Sequence, residues 1–267
     1  MKSILVAAAL VALASGAHPL PHEAAVRSTG RAAAGQSARP ARSVPFNVGE
    51  SLTYDVSWSS YVTAGTAVTT VKDRTASGGA PAYHIVAEGR TTALLQALYS
   101  LHYTMETWLD GATLLPQRAS TSSEEGRRRR VRTATFDRPA KRAHYEIQTA
   151  TNVKEDVVIA PDEQDALSAI YVLRTIALAP GASIAMPVTD DGTTYRVRFE
   201  GGAVERVRAP IGEMSARKIA ATITDAHGQP VGRNVAIWIA DNAQRWPVKL
   251  QAELLVGSFT LELREAR

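Results

Sequence analysis

The side chains able to do chemistry are few and scattered. The chain has 267 residues and no cysteine, which excludes thiol nucleophiles, thiolate metal sites and disulfides. There is no H-E-x-x-H helix, no G-x-S-x-G elbow, no Walker loop and no dinucleotide fingerprint. His18 and His22 are close together, but no third ligand stands near them, so they read as part of a solvated stretch. His84, His102, His144 and His227 fall on separate strands or a turn, where lone histidines usually serve surface or packing. Paired acids occur at Glu124-Glu125, Glu155-Asp156, Asp162-Glu163 and Asp190-Asp191. Each pair lies at a turn or element end, where carboxylates turn and cap the chain. No catalytic residue, metal or cofactor is expected from this set. A hydrolase would need a dispersed site that only the fold could assemble.

Binding residues are easier to nominate. Arg127, Arg128, Arg129 and Arg130, with Arg132 behind them, form a cationic run that could meet a polyanion or blunt a sheet edge. No aromatic residues are interleaved with it, which argues against nucleic acid. Arg174 falls on an otherwise apolar helical pattern. If that helix is enclosed, the guanidinium needs a carboxylate or carbonyls, with Asp55 and Asp241 as candidate partners. The tryptophans are Trp58, Trp108, Trp238 and Trp246. Trp108 and Trp238 stand on the opposite strand face from their aliphatic neighbours and so need a second apolar environment. Tyr54, Trp58, Trp108, Arg174 and Trp238 are the candidate lining of a ligand cavity.

The elements that must position these residues are mostly strands. Leu52, Tyr54, Val56 and Trp58 alternate with Ser51, Thr53, Asp55 and Ser57. The same period of two recurs at Tyr83-Ile85-Ala87, Tyr103-Met105, Ala143-Tyr145-Ile147, Tyr195-Val197-Phe199, Val235-Ile237-Ile239 and Phe259-Leu261-Leu263. Gly65 reads as a bulge, and Asp110-Gly111 and Asp137-Arg138-Pro139 read as turns. One segment differs. Early acids, then Leu167, Ile170, Tyr171, Arg174 and Ile176 at helical spacing, predict a helix over about residues 162–179, stopped by Pro180-Gly181. A shorter helix at 92–98 competes with a strand there. The expected fold is mainly β: a long curved antiparallel sheet or open barrel wrapped around one α-helix.

Length and composition agree with one such domain. Hydrophobic residues make 45% and charged residues 21%, near the globular average. The net charge of +4 is too weak to imply nucleic acid by itself. Residues 1–17 read as a secretory signal peptide: Met1-Lys2, an apolar run from Ile4 to Ala14, then Ser15-Gly16-Ala17. Residues 18–43, rich in Ala, Pro and Arg, read as a disordered linker, and 44–267 as the β-rich domain. Cleavage near Ala17 would leave a periplasmic or secreted protein without a transmembrane segment.

An ordered set of short motifs adds to this. Gly49-Glu50-Ser51-Leu52, Leu114-Leu115-Pro116, Gln164-Asp165-Ala166-Leu167-Ser168, Tyr171-Val172-Leu173-Arg174, Pro210-Ile211-Gly212, Trp238, Asp241 and Pro247-Val248-Lys249-Leu250 follow one another in the chain. As a set, over about 44–263, it resembles an exported bacterial domain-of-unknown-function family, number 3108. The resemblance implies a β-rich envelope protein and supplies no catalytic residues. The expected function is binding or carriage of a lipidic or amphipathic ligand, with lipid, glycolipid or lipoprotein as partner. The alternatives are docking on envelope proteins or polyanions through the arginine cluster, and an envelope hydrolase.

Overall fold

The computed structural model describes residues 42–59, 62–77, 80–92, 101–126, 128–190, 192–254 and 257–267. The expected signal peptide, most of the linker, most of the short helix at 92–98, Arg127 and Asp191 lie outside them.

The first half of the chain is a meander. It runs through β1 (Ser51–Trp58), β2 (Val62–Ser77), β3 (Ala80–Thr91), β4 (Leu101–Asp110), β5 (Pro116–Glu125), β6 (Arg128–Asp137), β7 (Arg142–Gln148) and β8 (Asn152–Val158). A short β9 (Gln164–Asp165) leads into the helix α1 (Ala166–Arg174). The second half returns through β10 (Ser183–Asp190), β11 (Thr193–Ala209), β12 (Gly212–Thr224), β13 (Arg233–Ala240), β14 (Pro247–Leu254) and β15 (Gly257–Ala266). All strands belong to one sheet of 15, in the order β8-β7-β6-β5-β4-β3-β2-β1-β15-β14-β13-β12-β11-β10-β9. β1 pairs with β15, so the first and last strands meet mid-sheet, and among the described residues only the β9–β10 pair is parallel.

The sheet is curled but does not close. Its outer strands are β8 and β9, yet only residues 159–163 connect them. A fully extended residue spans at most about 3.6 Å, so two strands at opposite ends of the order must lie near one another. Side chains, not a backbone ladder, cross this seam. Thr107 Oγ1 donates to Asp165 Oδ2 at 2.6 Å, and Gln164 Nε2 donates to the Leu114 carbonyl at 3.2 Å. Tyr145 Oη meets Thr189 Oγ1 at 2.8 Å, and Arg138 Nη2 donates to the Glu163 carbonyl at 2.8 Å.

Alternation sets which face is inside. Leu52, Tyr54 and Val56 of β1 are buried, while their odd-numbered neighbours are half-buried. Gly65 lies opposite Val56 where the β1–β2 register shifts, and a Cβ there would stand 2.2 Å from the Arg90 carbonyl oxygen. That approach requires glycine.

The helix is shorter than its sequence pattern suggests. It occupies 166–174 rather than 162–179, because Asp165 is the N-cap and Thr175 the C-cap. Asp165 Oδ1 accepts from the amides of Leu167 and Ser168, and Ser168 Oγ accepts from the Asp165 amide, closing a capping box. Asp162 and Glu163, expected in the first turn, precede β9 instead. Glu163 is buried and accepts from Ala160 N and Thr194 Oγ1. The helix lies inside the curl, with Leu167, Ala169, Tyr171 and Leu173 all buried.

Asp165 thus serves the helix end and the seam at once. Asp165→Ala should lower unfolding free energy by about 2 kcal/mol, the top of the range for a lost cap, as read by urea denaturation. Asp165→Asn, which keeps an acceptor, should cost less.

Candidate functional site

Arg174 closes the last turn of α1, fully buried. Its Nη1 and Nη2 donate to Glu50 Oε1 and Oε2 at 2.6 and 2.7 Å, a bidentate pair. Nη2 also donates to the Gln244 carbonyl at 2.9 Å and Nε to the Arg245 carbonyl at 3.1 Å. Arg245 answers by donating to the carbonyls of Arg174 and Ile176, capping the helix end. Phe46 and Tyr171 lie under the guanidinium, at 5.3 and 5.0 Å from their ring centres. Burial opposes the charge on Arg174, but the hydrogen bonds and charge of Glu50 outweigh it and hold the pKa above its ordinary value.

The partner is therefore Glu50, and the expectation of Asp55 or Asp241 is corrected. Asp55 alternates to the outer face of β1 and takes Arg264 at 2.8 Å. Asp241 instead acts electrostatically on Arg245. Glu50 was missed because it lies 124 positions away, just before β1, where no local spacing marks it.

Between α1 and the inner sheet face lies an apolar hollow. With the open solvent at its mouth included it measures about 590 Å³. Leu52, Tyr54, Met105, Leu167, Ile170 and Leu261 line it, among others, with Arg174 also on its wall. Its interior is narrow, with room for a water or two. Tyr54 and Tyr171 face the ion pair. Burial pushes the Tyr171 phenol up to about 12, with Arg174 pulling the other way, and raises Tyr54 as well.

A second hollow, about 400 Å³ with the open solvent at its mouth included and as narrow inside as the first, borders the first turn of α1. Met105 lines both. This one is more polar than the first: Thr121, Arg132, Tyr145, Asp165 and Asp190 share its wall with Met105, Ala134 and Phe136. Burial pushes the Asp190 carboxyl up to about 6, against the pull of Arg132 and Arg130, while Asp165 adds to the rise. Burial also lowers Arg132 to about 10.

Of the nominated lining, Tyr54 and Arg174 border the apolar hollow, and the three tryptophans are not among its walls. Trp58, at the end of β1, is 37% exposed and stacks on Phe259 at 6.5 Å. Trp108 stacks on His84 at 4.4 Å, with Arg118 over its ring at 5.0 Å. Trp238 is buried on the outer face, donating to Glu205 beneath Lys218 and Lys249. Lysine and arginine stems thus supply the second apolar environment that Trp108 and Trp238 require.

The arginine run divides. Arg128, Arg129 and Arg130 are exposed, and Arg129 meets Glu124 at 3.5 Å. Arg132 turns inward and is buried. Three histidines sit on carboxylates at separate places: His84 on Glu106, His102 on Glu124 and His144 on Asp156. Among the described residues no group of three His, Asp or Glu side chains is arranged to hold a metal.

A curled, unclosed antiparallel sheet around one buried helix defines a barrel-like β protein with an internal hollow. By sequence, the chain belongs to DUF3108, a family of proteins of unknown function, whose profile matches residues 53–264. No curated protein matches it. Among solved structures it is similar to a β-barrel-like protein of the domain of unknown function DUF1849 from Brucella abortus. The TM-score is 0.56 at 11% identity, over 82% of this chain and 97% of that one. A Bacteroides fragilis protein described as exported, with a YmcC-like fold, has a TM-score of 0.34 at 11% identity, over 85% of this chain and 100% of that one. Among the described residues no helix is long and apolar enough to cross a membrane.

Two outcomes follow from the buried charges. Glu50→Gln or Arg174→Met alone should cost about 3–5 kcal/mol, because each strands its partner. The double variant should recover much of that loss in a double-mutant cycle read by urea unfolding. For Asp190, the folded pKa lies above the unfolded value of 3.8. The stability from its protonated form is complete below about pH 4 and is lost as pH rises through about 6. Asp190→Asn should therefore melt above the parent at pH 8, by at most about 3 kcal/mol. The difference should shrink towards zero at pH 4.

Proposed function

We propose that this protein is a cell-envelope, periplasmic binding or carrier protein for a lipidic or amphipathic ligand. The observation that carries the reading is the apolar hollow between α1 and the inner sheet face. Concave, largely apolar sites with a few polar groups are the usual form of small-molecule sites. Its walls include Tyr54 and Arg174, two of the residues nominated from the sequence. The signal-peptide pattern of residues 1–17 supports export.

In this reading Arg174 has a structural part. With its guanidinium committed to Glu50 and two carbonyls, it fixes the helix instead of clamping a headgroup. The ligand is held by apolar contact. The narrow waist means that a chain enters by moving side chains, and Met105, flexible and unbranched, is the wall residue best suited to yield. Trp58, Trp108 and Trp238 would then report on the fold more than on the ligand.

Native mass spectrometry of the protein recovered from a periplasm should show a bound lipidic species. After delipidation, straight-chain fatty acids of eight to sixteen carbons should bind in a series. Each methylene is worth about 0.8 kcal/mol, roughly fourfold in affinity, until the hollow is full. Ala87→Val, which adds two methyls to the wall, should keep the fold by circular dichroism and weaken this binding. A ligand-free mass together with no chain-length dependence would overturn the reading.

A further inference from the structure

The polar hollow contains a group that the fold leaves unanswered. Asp190 ends β10 in the position of a turn carboxylate, but it is 8% exposed and on the hollow's wall. Its Oδ2 is shut off from solvent with no hydrogen-bond partner. A buried carboxylate oxygen without a donor is costly and uncommon. The other two acids on this wall have partners: Asp165 Oδ1 takes two amides and Oδ2 takes Thr107, while Glu106 Oε2 meets His84 Nε2 at 2.7 Å. Tyr145 and Thr189 are bonded to one another at 2.8 Å. Among the described acids of this wall, the buried oxygen without a donor is Asp190 Oδ2.

The surroundings narrow what would donate to it. Arg132 is buried on the same wall, and Arg130 stands exposed two residues along β6. Both cations act on Asp190 electrostatically. A donor at Asp190 beside an anion at the arginines is the pattern of a zwitterion carrying a primary ammonium and a phosphate. The two hollows share Met105 and flank successive residues of α1, Ala166 in one and Leu167 in the other. The two hollows are therefore neighbours, with Met105 on the wall between them.

We propose that the polar hollow is the headgroup subsite of the carrier, with Asp190 receiving a primary ammonium and Arg132 and Arg130 facing the adjoining phosphate. The inference rests on the lipid-binding reading above and adds the class of head, a phosphoethanolamine.

The test uses the delipidated protein and three lysophospholipids with one fourteen-carbon chain and ethanolamine, choline or glycerol heads, titrated calorimetrically below their micelle concentrations. The ethanolamine lipid should bind about tenfold tighter than the other two, the worth of one charge-assisted hydrogen bond. Choline is cationic but has no N–H, so it separates hydrogen bonding from charge. In Asp190→Asn and Asp190→Ala the preference should fall below about threefold, with glycerol-head binding retained. Equal affinity for the three heads, or a preference that survives both variants, would overturn the subsite and leave the apolar reading standing. Failure of all three to bind would overturn both.

Discussion

A guanidinium without access to water sits at the centre of this protein, and it can stay there only because Glu50 is beside it. Taking both charges out of water is expensive, and their attraction in a low-dielectric interior does little more than offset that. The pair therefore contributes placement more than net stability. It ties the C-terminal end of α1 to the start of β1 and, through the carbonyls of Gln244 and Arg245, to the turn between β13 and β14. Asp165 holds the other end of the helix to β4 through Thr107. The nine-residue helix is thus held at both ends. The apolar hollow is the space left beneath it.

The seam follows from the same arrangement. The chain must step from β8 to β9 in few residues, so the sheet curls until its ends are near, but the two-residue β9 is too short to zip them together. Polar side chains bridge the gap instead. This is why the interior divides into an apolar part, under the middle of α1, and a polar part next to the seam, where Arg132, Asp165 and Asp190 are buried together. A sheet closed by a backbone ladder would have no need of those charges inside.

Much of this was legible in the sequence, and the parts that were not share a cause. Leu52, Tyr54 and Val56 declare their face by alternation, and Leu167, Ile170 and Tyr171 declare a helix by period. Those signals are local. The helix start was misplaced because Asp162, Glu163 and Asp165 all look like caps, and only the bond from Thr107 and the β9 pairing single out Asp165. The end was misplaced because Ile176 stays in phase after Thr175 has already capped the helix. Glu50 as the partner of Arg174, and Asp190 as a buried acceptor rather than a turn residue, depend on contacts between distant strands. No spacing rule reaches that far. Arg132 shows the same limit: a run of arginines looks uniform in sequence, yet strand curl sends one of them inside.

On the proposed function, the space under α1 receives an acyl chain. Intermolecular nuclear Overhauser effects between methyl-labelled protein and dodecanoic acid should then run from the chain to Leu52, Met105, Leu167, Leu250 and Leu261. Contacts confined to outward side chains such as Val48, Val153 and Val158, or none at all, would contradict it.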